Sequence, residues 1–425
     1  MFNQAKAGEL ALSNKEMTER LFVSEPCCEK NNKLHRVIRV LTLNNIADVG
    51  LSQLSKDRYD ISNSQADSEV LLLRSANIHG REIPKSLRAV GRAGAGVNNI
   101  PVADYTARAI PVFNTPGANA NAVKELVIAA LIISCRQICH AWDFARRLDG
   151  SDDELNKAVE AGKKDFAGIE LPGRTLAVIG LGAIGRLVAN AAAGLGMHVV
   201  GFDPGLTVEG AWQLAPTITR ATSLEDAAAA ADFVSVHVPL ASGTRGLINA
   251  AFLAKLRPGA AVLNFAREGI VDEAAIVAAL DAGALRAYVS DFPANQTKSH
   301  PKCVTLPHLG ASTAEAEDNC AVLVVAQIKD YLENGNVRNS VNFPEVVLAR
   351  RTAHRVAIAH DNVPNMLGQI SEAFGHAGLN IHELANSSHG ALAYTLADLD
   401  TPCPDSVVAA LMAIPGVKRV TCLPG

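Results

Sequence analysis

Aromatic residues are scarce in this chain, 4% of 425, while alanine is abundant. Such a composition suits helices packed against parallel sheets. There is no large basic block, and the net charge of −4 excludes nucleic-acid binding by bulk electrostatics. No run of about 18 uncharged apolar residues occurs, so no membrane span is expected. The N-terminus has no apolar core of the signal-peptide kind. The eight cysteines form no CxxC pair. No His/Cys/Asp group has zinc spacing, and no metal is expected. Together these absences describe a reduced, cytoplasmic protein. Cys135 and Cys139 share a helix face, but an alanine-rich helix buries thiols as small hydrophobes. Cys27-Cys28 lies in a polar leader, where a reactive thiol is the alternative.

What is present is organised around RTLAVIGLGAIG at 174–185. An apolar run ending in glycine reads as a buried parallel strand, and an Ala/Leu/Val-rich helix follows to about Leu195. Between them stands GxGxxG. Gly180 permits the tight turn, Gly182 lets a pyrophosphate approach the backbone, and Gly185 lets helix and sheet pack closely. Ala183 and Ile184 open the helix whose N-terminus faces the phosphates. The next strand, His198 to Phe202, ends at Asp203, placed to accept from the adenosine ribose hydroxyls and to repel a 2′-phosphate. The expected cofactor is therefore NAD. A turn acid before Pro204 is the alternative reading of Asp203.

The length allows two or three domains. Strands are expected at Val37 onward, Glu69–Leu73, Leu87–Gly91 and Ile110–Phe113, then a very apolar helix over 121–136 and a charged helical stretch over 146–164. Ser312 with Glu315 reads as the capping box of a long helix that stops at Gly335 and can return to the first domain. From 355 the order is β-α-β-β-α-β, the ferredoxin-like pattern.

Polar residues cluster where strands end, which is where open α/β sheets bind ligands. Arg267 can fork two donors onto a carboxylate, or be a surface arginine at a helix entry. His308 can carry a hydroxyl proton, or serve a turn after Pro307. His237 precedes Val238 and Pro239 and faces the expected cofactor cleft. Arg74 and Arg92 sit at or just past strand ends of the first domain, where cations suit a phosphate.

The motifs GRAGAGVNNI at 91–100, NTPGAN at 114–119, GLGAIG at 180–185, HVPLASGTRGLIN at 237–249, NFAREGIVDE at 264–273 and LPHLGAST at 306–313 stand together. In this combination the chain resembles the D-isomer-specific 2-hydroxyacid dehydrogenases, in the form that carries a C-terminal ACT domain. The resemblance implies an α/β protein: two Rossmann-like domains, the first split around an inserted cofactor domain, plus a ferredoxin-like ACT domain. The implied units are a leader at 1–35, a substrate-binding domain at 36–135 with 313–335, an NAD-binding domain at 136–312, a linker at 336–354 and the ACT-like unit at 355–425. It implies substrate contacts from Arg74, Ser75, Gly94, Ala95, Gly96 and Val97, with Asn114 supporting the cleft. It adds Thr244, Phe265, Ala266 and Asp291 to the cofactor contacts, together with His237, Arg267 and His308. Arg267 becomes the substrate clamp and His308 the acid–base.

The implied reaction is NAD-linked oxidation of 3-phospho-D-glycerate in serine biosynthesis. Reduction of glyoxylate, hydroxypyruvate or 2-oxoglutarate, and an NAD-sensing regulatory role, are the alternatives. One departure concerns the usual glutamate partner of the histidine: the sequence reads Ser290-Asp291-Phe292-Pro293-Ala294-Asn295, leaving Asp291 or Asn295 for that place. The resemblance also implies a homodimer or homotetramer, with L-serine held between ACT units by His360, Asn362 and Asn380. Read as sequence alone, Asn362 is equally a helix cap and Asn380 a turn residue.

Overall fold

The structure, a computed structural model, describes residues 37–423. The expected helix near Glu16 and the Cys27-Cys28 pair lie outside those residues. Three sheets organise the chain.

The first sheet holds β1 (Ile38–Leu43), β2 (Tyr59–Ser62), β3 (Val70–Leu73), β4 (Ala89–Arg92) and β5 (Val112–Phe113), all parallel in the order β2-β1-β3-β4-β5. β3 is Val-Leu-Leu-Leu and is buried at every position, as a strand covered on both faces must be. β2 was not expected from sequence: it is a four-residue edge strand, Tyr-Asp-Ile-Ser, with little apolar signal.

The second sheet holds β6 (Thr175–Ile179), β7 (His198–Phe202), β8 (Thr219–Arg220), β9 (Phe233–Val236), β10 (Ala260–Asn264), β11 (Leu285–Ser290) and β12 (Cys303–Thr305). Its order is β12-β11-β10-β9-β6-β7-β8, parallel throughout. The direction of winding reverses between β6 and β9. Such a reversal opens a crevice at the carboxyl ends of the two strands.

The apolar helix Ala120–Arg136 packs on this second sheet: Val127, Leu131 and Cys135 share a core with Leu176, Val188 and Phe233. Cys135 is a core thiol there, and burial raises its pKa. Beyond it a helix not expected from sequence, Ile138–Arg146, precedes the charged stretch, which forms the helix Asp152–Gly162. Ser151 and Glu154 cap the second of these reciprocally, which is why the helix restarts there. The long helix Ala314–Asn334 packs on the first sheet through Cys320, Val324 and Ile328. Its N-cap is Thr313, whose side chain accepts from Ala316 N, not the expected Ser312. Ser312 N instead donates to Leu309 O, closing the preceding turn. Gly335, at φ 72°, ends the helix as expected.

The third sheet is antiparallel: β13 (His354–Asp361), β14 (Ile381–His389), β15 (Leu392–Leu399) and β16 (Val417–Leu423), ordered β14-β15-β13-β16. With helices Met366–His376 and Asp405–Ala413 it has the expected β-α-β-β-α-β order. Alternation along β13 sends Val356 and Ile358 to the helices and Ala357 and Ala359 to the opposite face. That opposite face is not open to solvent. Tyr394, Leu396 and Leu423 pack with Phe343, Val346 and Leu348 against the long helix, in one core with the first sheet. Within the stretch expected as a linker, Val337, Phe343, Val346 and Leu348 are therefore buried.

A buried ion pair fastens this contact. Arg355 donates to both Asp398 oxygens, from Nε at 2.6 Å and from Nη2 at 2.9 Å. Its Nη1 donates to Asn334 O and Leu348 O at 3.0 and 2.8 Å. Arg350 donates likewise to Glu333 O at 3.0 Å. Two arginines thus cap the final carbonyls of the long helix, where the helix dipole favours positive charge.

Candidate active site

The crevice between β6 and β9 is shaped by glycine. Gly180 has φ +92°, and a side chain there would lie 2.8 Å from the backbone of His237. At Gly185 an added Cβ would sit 1.9 Å from Gly180 O, so the helix Ala183–Gly194 can approach the strand only with glycine. An added Cβ at Gly182 would meet nothing within 4 Å. That open flank, beside the helix N-terminus at Ala183 and Ile184, fits a pyrophosphate. Asp203 accepts from Leu181 N and from Gly205 N, both at 2.8 Å, one on each oxygen. A carboxylate has about four acceptor sites, so two remain for ribose hydroxyls.

His237 closes the other wall. Its Nε2 bonds Ser235 Oγ at 2.8 Å, while Nδ1 is buried with no partner. Burial lowers its pKa to about 3, so the ring is neutral at ordinary pH. Thr244 turns inward on its own loop, its Oγ1 accepting a hydrogen bond from Ala241 N and donating one to Pro239 O. It holds the Val238–Pro239 loop rather than presenting a free hydroxyl.

At the end of β10, Asn264 accepts from Ala266 N at 3.2 Å and donates to Arg267 O at 3.0 Å. This side chain, buried with Phe265 and Ala266, sets the turn that carries Arg267. Only its place as last residue of a strand could have signalled it in the sequence. At the end of β11, Asp291 is 1% exposed and each of its oxygens accepts a backbone N–H, from Leu309 at 2.7 Å and Gly310 at 2.8 Å. Burial raises the Asp291 pKa, against those two amides and the nearby His308, which lower it. His308 itself has φ 56° and donates its N–H to Asp291 O at 3.1 Å. Its ring meets Phe292 edge-on at 5.1 Å.

Asn295 is exposed and accepts from Lys298 Nζ at 2.8 Å. Neither residue offered as the histidine's partner hydrogen-bonds the imidazole: Asp291 holds the loop that carries it, and Asn295 points to Lys298.

From the first sheet comes the loop Gly94–Val97. Asn114 Nδ2 donates to Ala95 O at 2.6 Å, and Gly94 O accepts from Thr115 N. An added Cβ at Gly96 would lie 3.3 Å from Arg267 Nη2, so this loop and Arg267 face each other across the gap between the sheets. Arg92 donates from Nε to Arg74 O at 3.1 Å. Burial lowers the Arg92 pKa, and the like charges of Arg267 and Arg74 add to the lowering. Arg74 is partly engaged elsewhere, 2.7 Å from Glu317 on the long helix, and Ser75 is exposed.

Residues 138–310 match the family model of the D-isomer specific 2-hydroxyacid dehydrogenase NAD binding domain. This region therefore resembles an NAD binding domain of the D-isomer-specific 2-hydroxyacid dehydrogenase kind. NAD is its cofactor. Among curated relatives, the D-3-phosphoglycerate dehydrogenase of Mycobacterium tuberculosis is 37% identical over 296 residues, covering 67% of this chain and 53% of the relative. The protein of that name from Rattus norvegicus is 34% identical over 327 residues, covering 75% and 57%. The chain thus spans about half the length of the curated relatives it matches. Its fold matches the holo form of Rhodotorula graminis D-mandelate dehydrogenase with a TM-score of 0.62 at 23% identity, over 74% of this chain and 99% of the other.

The residues expected to bind an effector do not converge within one chain. His360 is 2% exposed; its Nδ1 donates to Asp361 O and its Nε2 hydrogen-bonds Thr395 Oγ1, each at 2.9 Å. Burial lowers its pKa, and with both nitrogens engaged it is a satisfied core histidine. Asn362 Nδ2 donates to Gly390 O at 3.2 Å, tying it to the β14–β15 turn rather than capping a helix. Asn380 donates to Asp400 at 2.7 Å. His360 pairs with Ala393, whereas Ile381, next to Asn380, pairs with Leu399. That places the two ends of the set roughly 20 Å apart along β15.

Proposed function

We propose that this chain is an NAD-dependent D-3-phosphoglycerate dehydrogenase, oxidising 3-phospho-D-glycerate to 3-phosphohydroxypyruvate for serine biosynthesis. The observation that carries the reading is the grouping of Arg92, Arg267 and Arg74 on one gap between the sheets: Arg92 Nε donates to Arg74 O at 3.1 Å, and an added Cβ at Gly96 would lie within 4 Å of both Arg92 Nη1 and Arg267 Nη2. Three guanidiniums suit a substrate with a carboxylate at one end and a phosphate at the other. A small uncharged-tail keto acid has no use for the extra cations. The names of the curated relatives support the same substrate.

In this reading 36–135 with 313–335 bind the substrate and 136–312 bind the cofactor. NAD, when bound, supplies the two-electron acceptor. Arg267 holds the substrate carboxylate through two N–H groups, fixing C2 in line. His308 accepts the C2 hydroxyl proton on an imidazole nitrogen as the carbonyl forms. Asp291 keeps that imidazole in place by clamping Leu309 N and Gly310 N. Arg92, half-buried beside the Gly94–Val97 loop, receives the phosphate. Initial-rate kinetics of Arg92→Ala test this: kcat/KM should fall about 100-fold for 3-phosphoglycerate and far less for D-glycerate, as loss of charged hydrogen bonds implies. Equal losses on both substrates would remove Arg92 from the phosphate.

Cofactor choice gives a second expectation. The Asp203 carboxylate repels a 2′-phosphate and accepts ribose hydroxyls. NADP should therefore be used at least about 100-fold less efficiently than NAD, and Asp203→Ala should shrink that ratio by about tenfold or more. Equal efficiency with the two cofactors would contradict the role.

The ferredoxin-like unit at 355–425 is read as an ACT domain that pairs with a second copy through its exposed edge strand β14. Pairing would bring Asn362 of one chain toward Asn380 of another, with His360 beneath as support. Calorimetry with L-serine on the full chain should then show saturable heat that is lost in Asn380→Ala. Absence of heat at millimolar serine would reject serine as an effector. A second reading, an NAD-responsive regulatory protein, draws on the imidazole of His308, which no side chain among the described residues hydrogen-bonds. Turnover with 3-phosphoglycerate rejects it.

A further inference from the structure

A cavity of about 570 Å³ lies between the first sheet and the C-terminal unit, in the size range of small-ligand sites. Its walls come from both units: Lys85, Leu87, Arg108 and Ile110 on one side, and Asp361 with residues 409–419 on the other. Leu87 precedes β4 and Ile110 precedes β5, so the cavity opens at the amino ends of these strands. Arg92, at the carboxyl end of β4, faces the opposite edge, about 13 Å of strand away. The cavity is therefore separate from the NAD and substrate crevice.

Its lining combines an apolar floor with surplus positive charge. Leu87, Ile110, Met412 and Val417 supply the floor. Lys85, Arg108, Lys418 and Arg419 supply four cations against one carboxylate, Asp361. Asp361 is already spent, 3.0 Å from Lys418 Nζ. Arg108 gives one N–H to Ile83 O and Arg419 gives one to Leu87 O. Each guanidinium has five N–H groups, so most remain available. Among the described residues no carboxylate lies within ion-pair distance of Lys85, Arg108 or Arg419.

We infer that this cavity is a binding site for an amphipathic carboxylate, its apolar body on Leu87, Ile110 and Met412 and its carboxylate on Arg108, Arg419 and Lys85. A bare inorganic anion would leave the apolar floor wet, and an apolar cation would face three like charges. Because the walls belong to two units, an occupant cross-links the C-terminal unit to the substrate-side sheet and stabilises their contact by mass action.

The test uses 4-phenylbutanoate as the probe, titrated by calorimetry into the full chain with saturating NAD present. Saturable binding of about one probe per chain is expected, with a rise in melting temperature. Lys85→Glu with Arg108→Glu should weaken it at least about tenfold, as loss of charged hydrogen bonds implies. Ala409→Trp, which fills the cavity from its own wall, should abolish it. 4-Phenylbutylamine should give no heat, and inorganic phosphate should not compete. No heat at millimolar probe, or binding undiminished in both variants, would overturn the site. Equal competition by phosphate would also overturn it, as that would mark a bare cationic patch. No outcome depends on the dehydrogenase reading.

Discussion

Replacing His308 is expected to lower turnover by about 100-fold or more, with KM for the substrate changed little, because the imidazole acts on the reacting proton rather than on binding. The choice of substitution matters. His308 has φ 56°, a backbone conformation that asparagine tolerates better than alanine. His308→Asn therefore removes the base while keeping the loop, and His308→Ala tests the same loss with added strain. Asp291→Asn should reduce turnover by another route. An amide in place of the carboxylate would set its NH₂ against Leu309 N or Gly310 N, both of which need acceptors. The loop carrying His308 would then loosen. Stopped-flow or steady-state measurement of NADH formation checks both variants. Turnover of His308→Asn within about threefold of the parent at every pH would remove His308 from the chemistry.

The largest effect on stability is expected at Asp398. Its side chain and that of Arg355 are both fully buried, and their two hydrogen bonds are 2.6 and 2.9 Å long. Removing the carboxylate by Asp398→Ala leaves a guanidinium uncompensated where the third sheet meets the long helix. Such a break costs about 3–5 kcal/mol. Replacing both partners together, Arg355→Met with Asp398→Leu, should recover most of the loss, since the desolvation cost of the charges disappears with them. Denaturant unfolding of the three proteins separates these outcomes, and a loss under about 1 kcal/mol in Asp398→Ala would contradict the account.

The pair also has a pH signature. Burial raises the Asp398 pKa, but the hydrogen bonds from Arg355 and Arg351 N outweigh it and hold the carboxyl below its ordinary value of 3.8. A depressed folded pKa means that the unfolded chain binds the proton more readily. Its stabilisation is complete above about pH 4 and is lost as pH falls through the folded value.

The cofactor crevice was legible in the sequence because its chemistry needs backbone more than side chains. Only glycine fits at 180 and at 185, so the pattern GLGAIG announces the turn directly. Buried strands such as β3 and β6 were equally plain, being apolar at nearly every position. Edge strands were not: β2 and β8 are short and partly polar, and pairing with a neighbour rather than propensity makes them strands. The helix cap slipped from Ser312 to Thr313 because both hydroxyls suit the role, and the turn closed by Ser312 N decides between them. His360 shows the deeper limit. A histidine at a strand end looks like a ligand, yet its partner Thr395 is 35 residues away and comes beside it only when β13 and β15 pair. The packing of the third sheet on the long helix was hidden for the same reason. Arg355 and Asp398 are ordinary charges in the sequence and become a buried fork only through sheet register.

The substrate is decided by comparing hydroxy acids side by side. NAD reduction by the full chain should be followed with 3-phospho-D-glycerate, D-glycerate, D-lactate and D-2-hydroxyglutarate under one set of conditions. The highest kcat/KM is expected for 3-phospho-D-glycerate, by about 100-fold or more over D-glycerate, the difference that phosphate contacts with charged partners would supply. A kcat/KM for an unphosphorylated acid equal to or above that for 3-phospho-D-glycerate would contradict the proposed substrate.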